Sequence, residues 1–324
     1  MKVLGISLRF QVSPIGRPKR RCDRHRTREG KSIAFVGITA GCGRAQLIAL
    51  RERMEALGTS NVFDGNYQVF ILENDSRDGT REALAEWSEL DPCRVHVDSI
   101  DIGGTSMTLG YDGMRTTVLA MLRNRAMKSV RQHSLWPFDF VMWFDMDLVP
   151  FNPQVVVQAA FSPGRLDLWN STWSAVCANG VMGRGSERFY DVYAFRSHQF
   201  PHSPLDDPSN IPYGSYWGEP GDRPYLLEVQ RGATLETSEP PIEVDSCFSG
   251  LAIYRGWAFN GCSYTGEHEC EHVRIHECMR NVHKDRFRIF MIPEMQVEYR
   301  LSDDELDEWR LVEENYARLH AKIS

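Results

Sequence analysis

Residues 140–144 read FVMWF and run straight into Asp145-Met146-Asp147, with Pro150 and Pro153 closing the segment. An unbroken apolar run suits a central strand covered on both faces, as in a parallel α/β sheet. A half-solvated antiparallel strand would alternate instead. Ligands of open α/β sheets collect at the carboxyl ends of strands. Asp145 and Asp147 are therefore aimed at one crevice, where two carboxylates can share a hard divalent cation. The competing reading is a strand entering a polar turn, where Asp is common anyway, and D-x-D recurs by chance.

The preceding residues support the parallel sheet. Residues 33–38 read as a buried first strand, ended by the Gly41-Cys42-Gly43 loop. A helix is predicted over 45–57, with Leu47, Leu50, Met54 and Leu57 at helical spacing. Further strands are expected at 67–72 and 94–97, and helices at 81–90 and 114–132. Such a βαβαβ order implies parallel strands joined by right-handed crossovers. Beyond Pro150 the alternation breaks down. A short helix at 153–161 and strand-like runs at 173–177 and 189–194 precede a Pro-, Gly- and Asp-rich excursion over 200–240. Regular structure is expected again at 242–254, 271–280 and 287–292, with an amphipathic helix at 304–319. The resulting architecture is α/β: a mostly parallel, Rossmann-like sheet flanked by helices, with a more irregular second half. Residues 1–30 read as a basic flexible tail. Residues 31–324 form one domain, nucleotide-binding over about 31–150 and acceptor-binding over 151–324.

Composition excludes several classes. A net charge of −7 does not suit a general nucleic-acid binder. No stretch of about 18 apolar residues is present, so the chain as written has no membrane span, and its first residues turn polar too soon for a signal peptide. As written the chain reads as soluble and cytoplasmic, or as lumenal if an N-terminal anchor is missing. Eight cysteines are too few for a disulfide scaffold, yet Cys247, Cys262, Cys270 and Cys278 crowd together. Local disulfides and a zinc site both remain open there.

Four groups of residues carry the chemistry. Glu73-Asn74-Asp75, closing the second strand, can accept hydrogen bonds from a ribose or base; helix capping by Asp75, Ser76 or Asp78 is the plainer account. Arg123 and Asn124 lie on the helix just before the Asp-bearing strand, within reach of a diphosphate, which a guanidinium grips with two parallel bonds. Asp145 and Asp147 would hold Mn²⁺ or Mg²⁺. The run 266–278 offers His268, His272 and His276 among Glu267, Glu269, Glu271 and Glu277, with Cys270 and Cys278 beside them. It reads as a solvated helix face, a zinc site, or the source of a general base such as Glu271.

Taken in order, ENDSRDGT (73–80), LRNRAM (122–127), FDFVMWFDMDLVPF (138–151), SAVCANG (174–180), RFYDVYAFR (188–196), VDSCFSGLAIY (244–254) and HECEHVRIHECMR (268–280) resemble the fungal capsule-associated α-1,3-mannosyltransferase family of GT-A-fold glycosyltransferases. The resemblance covers roughly residues 32–295. It implies transfer of mannose from GDP-mannose, with retention, to a glycan or glycoconjugate acceptor in polysaccharide biosynthesis. Carried over by position, it assigns Asp145 and Asp147 to the metal and diphosphate, and Glu73 and Asp75 to the nucleoside. Arg123 and Asn124 fall near the phosphates, and Tyr190-Asp191 with the 246–250 segment on the sugar side. His272 is the candidate third metal ligand, since GT-A enzymes often add a late histidine. The chain departs from the family in reading Asp145-Met146-Asp147 where members tend to read Asn-Asp, and in lacking their N-terminal membrane anchor. A retaining reaction leaves Glu271 to packing or acceptor contact; an inverting one, including a UDP-sugar-dependent variant, would make Glu269, Glu271 or Asp245 the base. The contrasting class is a non-catalytic zinc- or nucleotide-binding protein on the same fold.

Overall fold

The computed structural model describes residues 2–3, 6–7, 30–103, 113–148, 151–161, 173–182, 189–191, 193–197, 235–266 and 269–299. The expected excursion over 200–234, the terminal helix at 304–319 and nearly all of the basic tail lie outside them. Within the tail, Lys2–Val3 pairs with Ile6–Ser7 in a short antiparallel ladder.

The alternating order is as the apolar runs and helical spacings predict. Strand β1 (Ile33–Thr39) leads to helix α1 (Arg44–Gly58), then β2 (Tyr67–Asn74), α2 (Thr80–Leu90), β3 (Val95–Ile100), α3 (Gly113–Gln132), β4 (Phe140–Asp145) and α4 (Pro153–Phe161). The second half adds β5 (Ala175–Met182), β6 (Ile242–Val244), β7 (Leu251–Arg255), α5 (Glu271–His283) and β8 (Ile289–Tyr299). All eight strands form one sheet in the order β3-β2-β1-β4-β7-β5-β8-β6. The first four are parallel, as is β5 with β8; β7 runs antiparallel to both its neighbours, and β6 to β8.

The apolar run that singles out β4 has a simple cause. Val141 and Trp143 pack on the face covered by α3, with Leu122, Ala126, Met127 and Val130. Phe140, Met142 and Phe144 face the opposite side, against Leu47, Leu50 and Met54 of α1 and Val156 of α4. Both faces are dry, so no position tolerates a polar side chain, and each large side chain buried there contributes roughly 1.5–3 kcal/mol. The register sets Asp145 opposite Ile38 of β1, at the carboxyl end of the parallel strands.

Three expectations for the second half are corrected. The described residues among 189–194 form no strand; isolated bridges join Val181 to Phe189 and Arg196 to Ser246. The run 242–254 is split into β6 and β7, because Ser249 (φ 54°) and Gly250 (φ 77°) turn the chain through left-handed backbone. Strand β8 extends to Tyr299 and shifts register between Ile292 and Gln296, where Pro293 supplies no N–H.

Candidate active site

The Ser249-Gly250 turn organises the end of β4. The backbone N–H of Asp145 donates to the Gly250 carbonyl at 2.7 Å. The backbone N–H of Ser249 donates to Asp191 Oδ2 at 2.7 Å, and Ala194 N–H reaches Asp191 Oδ1 at 3.2 Å. A Cβ at position 250 would press on Leu148, so glycine is required by space as well as by its positive φ. Asp145 and Asp191 are thereby fastened to the same turn.

Arg123 of α3 reaches the same place from behind. Its Nε donates to Glu271 Oε1 at 3.1 Å, and its Nη2 lies 3.5 Å from Asp145 Oδ1. The guanidinium also lies over the rings of Trp143 and Phe248. Glu271 is the first residue of α5, where a carboxylate meets the positive end of the helix dipole. Burial pushes the Asp145 carboxyl up; Arg123 opposes the shift, while Asp147, Asp191 and Glu271 add to it. The balance puts it at about 7. Asp191 is raised too, by burial, against the two backbone bonds it accepts. Asp147 lies on the turn beyond β4, where Oδ2 accepts the hydroxyl of Tyr299 at 2.5 Å. Tyr299 in turn stacks on Tyr190, with ring centroids 4.0 Å apart.

Thus Asp145, Asp147, Asp191, Arg123 and Glu271 lie within electrostatic reach of one another. Other candidates have different surroundings. Glu73 is fully buried and accepts Arg81 Nε at 2.7 Å and Ser76 N–H at 2.8 Å, so its oxygens hold the loop together. Asp75 (φ 53°) accepts the Ile102 N–H. Gly79 is the N-cap of α2, without a side-chain cap, and Asp78 before it takes the N–H groups of Thr80 and Gly43 on its two oxygens, its carboxyl held below its usual range. The Asn124 amide exchanges two 2.8 Å bonds with the backbone of Tyr264. Asp245 lies between β6 and that turn, its carbonyl accepting Arg280 Nη1.

Disulfides take Cys247 and Cys278 out of the zinc reading of the His/Cys run. Cys278 is bonded to Cys262, and Cys247 to Cys177, leaving Cys270 free and buried. His276 is bracketed by Ser246 Oγ at 2.8 Å and Tyr254 Oη at 2.9 Å, and burial lowers its imidazole to about 3. His272 stacks on Phe248 with ring centroids 3.7 Å apart, and its described contacts do not include Asp145 or Asp147. Among the described residues, no three His, Cys, Asp or Glu side chains form a group able to hold a metal by themselves.

Tyr299 and Arg81 were not predicted as site residues, whereas Ser249 falls in the 246–250 segment that the resemblance assigns to the sugar side. Each meets its partner through folding alone; Tyr299 and Asp147 are 152 positions apart.

Residues 44–315 match the family described as Cryptococcal mannosyltransferase 1. No curated protein matches the chain. Among solved structures, it is similar to a Pyrobaculum calidifontis mannosyltransferase in complex with GDP-Man and Mn2+, at 11% identity and a TM-score of 0.44, covering 88% of this chain and 61% of that one. It is also similar to residues 1–349 of S. aureus TarS, at 13% identity and a TM-score of 0.41, covering 87% of this chain and 64% of that one. Likenesses this distant carry none of those proteins' chemistry across. The family match spans most of the chain. The chain belongs to the Cryptococcal mannosyltransferase 1 family.

Proposed function

We propose that this member of the family transfers mannose from GDP-mannose to a glycan acceptor, with Mn²⁺ or Mg²⁺ at Asp145 and Asp147. The observation that carries the reading is the Arg123 guanidinium meeting Asp145 and Glu271 at the strand ends, with Asp147 and Asp191 adding negative charge around Asp145.

Hard oxygen donors in that excess suit a divalent cation, and the crowding that raises Asp145 is the condition a cation relieves. Two carboxylates do not complete such a shell. Mg²⁺-type sites commonly take the remainder from substrate phosphates and water, which agrees with the lack of a preformed three-residue group among the described residues. When bound, the cation would offset the charge that develops on the diphosphate leaving group. His272 is left out of the proposed ligand set because it packs on Phe248.

The chain's own residues then divide the work. Asp145 and Asp147 present oxygens to the crevice, and Arg123 keeps Asp145 and Glu271 apart and oriented. Asp191, held by two backbone N–H groups, stands where it can accept a sugar hydroxyl. At the end of β2, Glu73 and Asp75 direct their oxygens to Arg81 and to the Ile102 N–H, so they shape the nucleoside side instead of serving as free acceptors. Glu271, buried and bonded to Arg123, is poorly placed as a general base, which favours a retaining reaction. Among the described residues no helix is long and apolar enough to cross a membrane. The Cys177–Cys247 and Cys262–Cys278 disulfides favour work in an oxidising lumen.

A thermal-shift screen of GDP-, UDP- and CMP-sugars, with and without Mn²⁺, tests the reading through linkage. Stabilisation by GDP-mannose that needs Mn²⁺ is the expected result; stabilisation by UDP-sugars alone would move the donor to another base.

A further inference from the structure

Behind Asp145, five side chains close a ring of contacts. Arg123 lies over Trp143 at 5.1 Å, Trp143 meets Tyr264 edge-on at 5.7 Å, and Tyr264 meets His272 edge-on at 5.8 Å. His272 stacks on Phe248 at 3.7 Å, and Phe248 returns to Arg123 at 5.0 Å. Arg123, Phe248 and Tyr264 are 3% exposed, His272 2% and Trp143 not at all, so the ring is shut off from solvent.

It nevertheless contains Arg123 Nη1, Trp143 Nε1, Tyr264 Oη, and both nitrogens of His272, all buried and without a hydrogen-bond partner. A protein does not leave so many polar atoms together unsatisfied, because each has given up its bonds to water. None reaches another directly, although their rings are in contact. Buried polar groups without a direct partner are ordinarily satisfied by ordered water.

We propose that this ring encloses a site for ordered water, bound by Arg123, Trp143, Tyr264 and His272, and that His272 positions Arg123 through it. The donor count selects the occupant. Arg123 Nη1 and Trp143 Nε1 only donate, Tyr264 does either, and an uncharged His272 donates once and accepts once. Burial and the nearby Arg123 hold His272 in that uncharged form. The occupant must therefore accept more bonds than it gives. An anion meets the carboxylates of Asp145 and Glu271 beyond Arg123, and a cation meets the guanidinium itself. Neutral oxygen remains, and among neutral oxygen donors water is the small one that suits a ring shut off from solvent. Buried waters of this kind make about three bonds each. The consequence is mechanical. Arg123 commits Nε to Glu271 and Nη2 to Asp145. Water on Nη1 would fix its remaining nitrogen and so the direction of the whole fork.

The inference does not depend on the identity of the donor, and the unliganded protein tests it. A high-resolution crystal structure should show water oxygens at about 2.7–3.2 Å from at least two of the five atoms. In solution, the Trp143 indole N–H, assigned with Trp143→Phe, should give an exchange cross-peak to long-lived water. A dry chamber with the five atoms paired among themselves, or density for a metal or anion, would overturn the proposal. For the positioning role, hydrogen exchange at Arg123 Nε should speed up on the order of tenfold in His272→Phe and return to the wild-type rate in His272→Gln. Equal exchange in all three proteins would remove His272 from that role. Should His272→Phe fail to fold, the crystal and the Trp143 cross-peak still decide the water site on the unaltered protein.

Discussion

The hydroxyl of Tyr299 donates to Asp147 Oδ2 at 2.5 Å, fastening the end of β8 to the turn beyond β4. Strand β8 lies three places from β4 in the sheet, so this bond links the two halves of the chain across the candidate crevice. Tyr299→Phe keeps the ring stacked on Tyr190 and removes the hydroxyl, which bonds both Asp147 and Tyr190. Outer partners of ligating carboxylates typically govern about 10- to 100-fold in metal affinity or activity. Mn²⁺ affinity, read by electron paramagnetic resonance in the presence of GDP, should fall by about tenfold in this variant. Unchanged affinity would reduce Tyr299 to a packing residue.

Arg123 stands between two acids that have little other relief. Removing one partner of a buried ion pair costs about 3–5 kcal/mol, because the charge left behind stays desolvated. Arg123→Met should therefore destabilise the protein by about that much in urea unfolding, and the double variant Arg123→Met/Glu271→Gln should recover part of the loss. A single variant as stable as wild type would mean that the pair is open to water.

Glu73 supplies a similar test away from the chemistry. It is fully buried, and Arg81 bonds both of its oxygens, Nε at 2.7 Å and Nη2 at 3.2 Å. Arg81→Ala should cost about 3 kcal/mol, the low end for such pairs because Arg81 is itself partly exposed. If nucleotide affinity falls while stability does not, Glu73 serves the ligand and not the loop.

Asp145 makes the stability of the metal-free protein fall with pH. Its folded value of about 7 lies above the ordinary carboxylate value of 3.8, so between those limits the folded state binds more protons than the unfolded one. This contribution is fully present below about 4 and lost as pH rises to about 7, at roughly 1.4 kcal/mol per pH unit at most. Chemical unfolding at pH 5 and pH 7.5 should show a larger loss for wild type than for Asp145→Asn. Equal slopes for the two proteins would contradict the buried, crowded carboxyl.

The disulfide from Cys262 to Cys278 closes a 16-residue separation and ties the segment before α5 to the later turns of that helix. Loops of that size are worth about 3 kcal/mol when cross-linked. Cys262→Ser/Cys278→Ser should lower stability by about that amount without altering nucleotide binding. An unchanged melting temperature would show that the bond is absent in solution.

The first half of the fold was legible because each element there meets a uniform environment. A strand dry on both faces must be apolar throughout, and a helix on a sheet must be apolar on one stripe, so β4 and α1 can be read directly. The placement of Asp145 at a strand end followed from the same reading. Residues 189–194 misled because an apolar run shows burial without showing hydrogen-bond partners; Phe189 and Phe195 are buried against each other without a strand. The roles of Glu73 and Asn124 were illegible for another reason. Their partners, Arg81 and the backbone of Tyr264, are set by side-chain reach after folding, and no periodicity records that. The cysteines stayed ambiguous because spacing alone does not separate a zinc site from a pair of disulfides.

The central claim is that Asp145 and Asp147 hold the donor diphosphate through a divalent cation. It is tested most directly by mannose transfer from GDP-mannose with wild type and Asp147→Asn at saturating Mn²⁺, with folding of both confirmed by circular dichroism. The account predicts that wild type transfers and that Asp147→Asn is slower by on the order of 10²-fold or more while remaining folded. Wild-type turnover by Asp147→Asn, or by wild type stripped of metal with a chelator, would contradict it.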